Sequence, residues 1–197
     1  MVVPPGATVI AANGGVALAA ELGLGVDLVV GDLDSISAER LAAVPRMERH
    51  PEAKDASDLE LALEAALRLG PERIVVVGGG GGRLDHLFGN LLLLASEAYA
   101  GVLVDAQLGG AAVHVVREER LLAGVTGELI SVFAVHGPAS GVVSQGLEFP
   151  LRGEVLEPGS SRGLSNVFAA PEVRIRVQRG VLLAVRPSGS VGAGSSC

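Results

Sequence analysis

The chain has 197 residues, 49% of them hydrophobic, and a formal net charge of −7, so it can bury a substantial core as one large domain or two small ones. No basic stripe is present, which excludes a protein that coats nucleic acid. The lone cysteine, Cys197, rules out an intrachain disulfide and suits a reducing cytoplasm, no charged-then-apolar leader is evident, and the longest apolar stretch (87–104) is interrupted by Asn90, Ser96 and Glu97, unlike a membrane span.

Taken along the chain, Thr8–Ala12, Leu28–Val30, Ile74–Val77, Val102–Val104 and Val113–Val116 are short Val- and Ile-rich runs without polar alternation. Such runs predict strands covered on both faces. Helical patterns lie between them at Gly15–Leu22, Ser37–Val44, Asp58–Leu69 and Leu84–Tyr99. The alternation predicts an α/β domain with a Rossmann-like parallel sheet over residues 1–122. After about Gly124 the pattern changes. Glu128–His136 and Gly141–Phe149 read as two strands separated by Gly and Pro, and Val173–Gln178 alternates apolar and polar before Gly180 turns the chain into Val181–Val185. The expectation for 123–187 is an antiparallel β-sandwich, and for the Ser/Gly-rich 188–197 a frayed tail.

Four segments carry chemistry. In Gly31-Asp32-Leu33-Asp34-Ser35, a buried strand delivers two carboxylates at its C-terminal end, where open α/β sheets bind ligands. If the strand stays extended, the two acids share a face about 6.6 Å apart along the chain, a span suited to gripping Mg²⁺. A loop acid capping the next helix is the competing reading. In Lys54-Asp55-Ala56-Ser57-Asp58-Leu59-Glu60, Ser57 and Glu60 have capping-box spacing and Asp58 suits the first turn of a helix. Helix grammar leaves Lys54, the only lysine, and Asp55 unexplained, and Lys54 is a candidate phosphate ligand. The third segment, Gly78 to Gly82 followed by Arg83-Leu84-Asp85-His86, places a glycine loop at a helix start. Its backbone N–H groups, Gly81 and Gly82 included, can approach an anion, and Arg83 can clamp phosphate oxygens. Asp85 can bind metal or orient Arg83, while His86 and Asn90 lie one helical turn apart. The fourth, Gly163-Leu164-Ser165-Asn166, reads by itself as a turn. His50, His114 and His136 show no metal-ligand spacing and read as structural or exposed.

Together and in this order, the segments resemble the signature of the thiamine pyrophosphokinases: Gly-Asp-x-Asp-Ser, Asp-x-Thr-Asp, Gly-Gly-Arg-x-Asp-His with a later Asn, and a Ser-Asn turn. Here they stand as Gly31–Ser35, Asp55–Asp58 with Ser57 for Thr, Gly81–His86 with Asn90, and Ser165-Asn166. The likeness runs from Ala11 to Val185. It implies a cytoplasmic homodimer with ATP and thiamine as substrates, an α/β domain followed by a β-sandwich domain, and transfer of pyrophosphate from MgATP to the thiamine hydroxyl with release of AMP. By resemblance, Asp32, Asp34 and Asp58 hold Mg²⁺. Lys54, Asp55, Gly81, Gly82, Arg83, His86 and Asn90 serve ATP. Asn13, Gly14, Ser35, Ser165, Asn166 and Phe168 serve thiamine, with Ser165 and Asn166 facing its aminopyrimidine ring. Asp34, Asp58, Arg83 and Asp85 are the candidate catalytic residues, and the proton acceptor stays open among Asp34, Asp58 and Asp85.

Departures from the family pattern are Asn13 in place of an Asp and Val167 where an acid is frequent. With no tryptophan present, ring stacking falls to Phe168 or Phe149. The rival readings are a 6-hydroxymethyl-dihydropterin pyrophosphokinase and a non-catalytic thiamine- or nucleotide-binding regulator.

Overall fold

The computed structural model describes residues 3–78 and 82–187; Gly81 and the expected tail at 188–197 lie outside the described residues. The chain divides into two compact units, one ending at Pro71 and the other starting at Glu72. In the first, β1 (Ile10–Ala12), β2 (Leu28–Gly31) and β3 (Met47–Arg49) form a parallel sheet in that order. β2 is central, and its two valines explain the run without polar alternation. Val29 packs with Ala11, Val16 and Val44, and Val30 packs with Ala62 and Ala65. Successive side chains point to opposite faces, so a strand covered on both faces must be apolar at every step. Both valines are 0% exposed, and each burial contributes about 1.5–3 kcal/mol.

Helix α1 (Gly15–Glu21) follows β1, α2 (Ala38–Ala42) follows β2, and α3 (Asp58–Leu67) follows β3. The capping reading of Ser57 holds: its Oγ accepts from the Glu60 backbone N–H at 3.2 Å, and Asp58 opens the helix. β3 escaped the sequence pattern because Met47 and Arg49 face solvent and Glu48 is only half-buried.

The second unit contains β4 (Arg73–Val77), α4 (Leu84–Leu94), a 3-10 turn (Glu97–Tyr99) and eight further strands. These are β5 (Leu103–Leu108), β6 (Ala111–Val116), β7 (Glu119–Ala123), β8 (Leu129–Gln145), β9 (Arg152–Leu156), β10 (Asn166–Val167), β11 (Glu172–Arg176) and β12 (Arg179–Arg186). The main path of the sheet is β4-β5-β6-β12-β8-β11-β7, with β9 and β10 also paired to β8. Among the described residues of this sheet, only β4 and β5 run parallel. Ile130, Val132, Leu151, Phe168, Val173, Ile175 and Leu182 form the heart of its core.

Two expectations are corrected. The five strands read as one parallel sheet are split, because β4, β5 and β6 belong to the nine-stranded, mostly antiparallel sheet. β5 runs on to Leu108 and turns through Gly109-Gly110 so that Leu108 pairs with Ala111. A two-residue turn can only produce an antiparallel hairpin, and Gly109 takes the positive φ of 61° that such a turn demands. The second correction concerns β8, expected as two strands but continuous over 17 residues. His136 (φ 60°), Gly137 and Gly141 bend it, and its pairing with β9 shifts register between Ala139 and Val143, so Gly and Pro redirect the strand without ending it.

Asp105, 4% exposed on β5, organises the polar interior of this unit. His114, directly opposite on β6, reaches it through Nδ1 at 2.7 Å, Arg73 of β4 donates from Nε at 2.8 Å, and Arg120 of β7 pairs with it as well. Burial pushes the carboxyl upward, but the hydrogen bond from His114 and the charges of Arg120 and Arg73 outweigh it and hold Asp105 below the usual carboxylate range. With the folded value depressed, the stabilisation is present above the unfolded carboxylate's pKa and is lost as pH falls through the folded one. Asp105→Asn therefore costs about 3–5 kcal/mol at neutral pH, because Arg120 keeps its charge with its partner gone. Denaturant titration at several pH values should show that loss shrinking toward acid; a loss independent of pH would contradict the assignment.

Candidate active site

In the first unit the site grows from the C-terminal end of β2. Gly31 has φ 145°, and a Cβ there would lie 3.1 Å from Asn13 Cβ and 3.2 Å from Asp58 Oδ1. The glycine thus lets the loop after β1 and the start of α3 close over the strand end. The chain does not stay extended beyond it. Leu33 adopts φ 66° with its side chain 2% exposed in the core, an uncommon conformation for a leucine that burial compensates. This turn separates the two acids expected on one face. Asp34 donates its backbone N–H to Asp32 Oδ1 at 3.2 Å, and its own carboxylate swings to solvent, 3.6 Å from Arg49 Nη1.

Asp32 meets Asp58 instead. Asn13 donates from Nδ2 to Asp32 Oδ1 at 3.1 Å and to Asp58 Oδ2 at 3.3 Å, while its Oδ1 accepts from Ser35 Oγ at 3.1 Å. Lys54 Nζ lies 2.5 Å from Asp58 Oδ1, with a side chain only 15% exposed. Asn13 itself has φ 42°, a left-handed conformation that Asn tolerates better than most residues. The structure therefore joins Asn13, Asp32, Ser35, Lys54 and Asp58. Asp55 and Gly14 are exposed.

Among the described residues, no group of three or more His, Cys, Asp or Glu is placed to hold a metal ion. The donor set at Asn13 nevertheless fits Mg²⁺. Two carboxylates converge on one amide nitrogen, and Mg²⁺ is commonly held by one or two carboxylates, completing its shell with water and phosphate. His50 pairs with Glu48 at 3.1 Å and His136 Nε2 hydrogen-bonds the Leu92 carbonyl at 2.8 Å, so both are structural.

In the second unit, Gly82 (φ 84°) leads into Arg83, the residue before α4. Arg83 holds Asp85 in a two-pronged pair, Nε to Oδ1 at 3.2 Å and Nη2 to Oδ2 at 2.5 Å. That bond is the main reason the Asp85 carboxyl is lowered to about 2, and it raises Arg83 in turn. Of the two roles open to Asp85, orienting the guanidinium is the one this geometry displays. His86 is exposed and Asn90 half-buried.

Of the Ser165–Phe168 segment, Ser165 is exposed while Asn166 and Phe168 turn into the protein. Ser165 is exposed at φ 55°, its N–H donating to Ser131 Oγ at 3.0 Å. Asn166 is 4% exposed and spends its amide on the chain. Its Oδ1 accepts from the N–H groups of Phe149 (3.0 Å) and Val167 (2.9 Å), and its Nδ2 donates to the Phe149 carbonyl at 2.7 Å. Phe168 is 0% exposed in the core, with Arg186 5.3 Å from its ring centre and Gly124 packed against its edge. A ring so enclosed has no free face for a ligand, which corrects its assignment to thiamine. Phe149, the other aromatic considered, is 56% exposed.

Close by in sequence, a shallow cavity of ≈ 260 Å³ is lined by Phe133, Ala134, Glu157, Gly159, Ser160, Ser161 and Leu164. Sequence reasoning passed over these residues. The Pro158-Gly159-Ser160-Ser161 turn ahead of Gly163 was the available signal for the rim, whereas Phe133 is indistinguishable from its apolar neighbours until the strand is built.

Comparison with known proteins divides the chain elsewhere, between residues 103 and 112, so that the first family match runs across the boundary between the two compact units. The family model described as thiamin pyrophosphokinase, catalytic domain, matches residues 5–103, and that described as thiamin pyrophosphokinase, vitamin B1 binding domain, matches 112–182. The thiamine pyrophosphokinase of Bacillus subtilis (strain 168) is 38% identical over 82 residues, 40% of this chain but only 36% of that relative. The crystal structure of thiamine pyrophosphokinase from Bacillus subtilis superposes with a TM-score of 0.83 at 22% identity, covering 95% of this chain and 91% of that one. A thiamin pyrophosphokinase family protein from Enterococcus faecalis gives 0.79 at 22% identity, covering 92% and 88%. These structures establish a shared mixed α/β fold. With both of the family's domains matched in order along it, the chain belongs to the thiamin pyrophosphokinase family.

Proposed function

We propose that this protein is a thiamine diphosphokinase, transferring pyrophosphate from MgATP to the thiamine hydroxyl and releasing AMP. The observation that carries the reading is the Asp32–Asp58 pair gathered around Asn13 Nδ2 at the end of a buried parallel strand. The reaction is an in-line displacement at phosphorus, so the protein's work is alignment and charge neutralisation. When bound, Mg²⁺ supplies neutralisation of the polyphosphate and a fixed reference for its oxygens.

The chain's own residues do the rest. Asp32 and Asp58 present hard oxygen ligands, with Asp34 as a further ligand that can turn by rotating its exposed side chain. Lys54 and Arg83 supply cationic donors for phosphate oxygens, and Asp85 holds the Arg83 fork in one orientation. Gly81, Gly82, Asp55, His86 and Asn90 complete the ATP contacts within residues 1–122. The hydroxyl proton passes to one of Asp34, Asp58 or Asp85. On the thiamine side, within 123–187, the cavity residues join Ser165: Phe133 offers an aromatic wall and Ser160 and Ser161 offer hydroxyls to an aminopyrimidine. Asn166 acts indirectly by pinning the Phe149 segment. The family resemblance supports a homodimer, and the single cysteine suits a reducing cytoplasm.

The decisive assay is incubation with MgATP and either thiamine or a 6-hydroxymethyl-dihydropterin. AMP that appears only with thiamine is expected; AMP only with the pterin, or with neither, would replace this reading. Asp58→Asn and Asp32→Asn should each lower kcat by about two orders of magnitude or more while the melting temperature stays within a few degrees. Near-normal turnover in both would remove the acid pair from the mechanism. Phe133→Ala should raise KM for thiamine several-fold and leave kcat and KM for ATP nearly unchanged, the signature of a contact kept equally in the ground and transition states.

A further inference from the structure

Both oxygens of Asp58 already have partners within the chain. Oδ1 faces Lys54 Nζ at 2.5 Å, and Oδ2 receives Asn13 Nδ2 at 3.3 Å. Lys54 is four residues before Asp58 and mostly buried, and it is the only lysine in the sequence. Two carboxylates drawn to one amide nitrogen repel each other, and Asn13 brings hydrogen bonds but no charge. Lys54 is the cation that offsets the repulsion at Asp58.

We propose that Lys54 is a displaceable internal cation. It holds Asp58 while the site is free of metal, leaves Oδ1 when that carboxylate takes a divalent ion, and then offers its ammonium to the polyphosphate. This rests on the reading that Asp32 and Asp58 hold the divalent ion. An oxygen in close contact with an ammonium must give up that contact to enter the inner shell of Mg²⁺. Lys54 and the ion are thus competitors for Asp58 in the free enzyme and cooperate once nucleotide arrives. By linkage, removing the competitor raises metal affinity, and removing the phosphate donor lowers nucleotide affinity. Lys54→Met keeps most of the apolar stem and deletes only the charged head.

A lysine that is unique in the chain can be followed directly by trace acylation and mass spectrometry of its peptide. On the wild-type protein, the labelling rate of Lys54 should be low in EDTA and rise roughly fivefold with saturating Mg²⁺, the scale of opening one partly shielded ion pair. It should fall again when Mg²⁺ is added with a non-hydrolysable ATP analogue. By isothermal titration, Lys54→Met should bind Mg²⁺ roughly fivefold more tightly than wild type without nucleotide, and bind the Mg²⁺-analogue complex more weakly. If the wild type binds Mg²⁺ but its Lys54 labelling is unchanged or slowed, the displacement is wrong, whether or not the Met variant folds. If the wild type makes AMP from thiamine but Lys54→Met shows no gain in Mg²⁺ affinity, the competition is wrong while the enzyme assignment stands. If the wild type neither binds Mg²⁺ nor makes AMP, the acid-pair reading fails and takes this proposal with it.

Discussion

The arrangement rests on one electrostatic problem, the holding of two carboxylates close together at the end of a buried strand. Left alone, Asp32 and Asp58 would repel each other and separate. The chain prevents this with three devices drawn from different parts of the sequence. Asn13 spans the two acids with a neutral amide, Lys54 sets a positive charge on one of them, and Gly31 omits the side chain that would keep them apart. Each device is inexpensive locally, and the combination yields an acid pair whose spacing is fixed before any ligand arrives. Preformed spacing is what a reaction dominated by alignment requires.

Asn13 gains a different meaning in this setting. As a departure from the family's Asp it removes a charge, since a carbonyl oxygen replaces a carboxylate. In the structure its amide nitrogen is the common point of the pair, a function that an ionised Asp, having no donor, cannot perform. The second unit solves a related problem with the opposite balance: there a single buried acid, Asp105, gathers two arginines and a histidine across four strands. Asp105 is buried and Asp58 only partly so, but in both places partners offset the charge and tie together segments distant in sequence.

Much of this was legible in the sequence where a local rule governs. The apolar β2 run, the Ser57 cap and the order of the four motifs follow from periodicity, capping grammar and spacing. The sheet partition was within reach too, since Gly109-Gly110 is a hairpin signal, and reading β5 as ending at Val104 hid it. What could not be read depends on non-local geometry. The direction of Asp34 is set by the left-handed turn at Leu33, which exists because the Leu33 side chain is wanted in the core. The inward use of Asn166 and the burial of Phe168 depend on which face of the strand meets the other sheet residues. Phe133 and Glu157 become neighbours only when a strand and a distant loop are brought together.

Leu33 also sets how the acid loop can behave. Its side chain is anchored in the core formed by Ala11, Val16, Val29 and Val44, so the loop is fastened from beneath by a hydrophobic plug. Moving Asp32 outward would require drawing that plug from the core, whereas Asp34, on the outer side of the turn, can change direction by rotating its side chain. The two acids of one short motif therefore differ in stiffness, one a fixed fiducial and the other a free arm. A site built this way can hold a constant reference point while still following a substrate whose charge and shape change during the reaction.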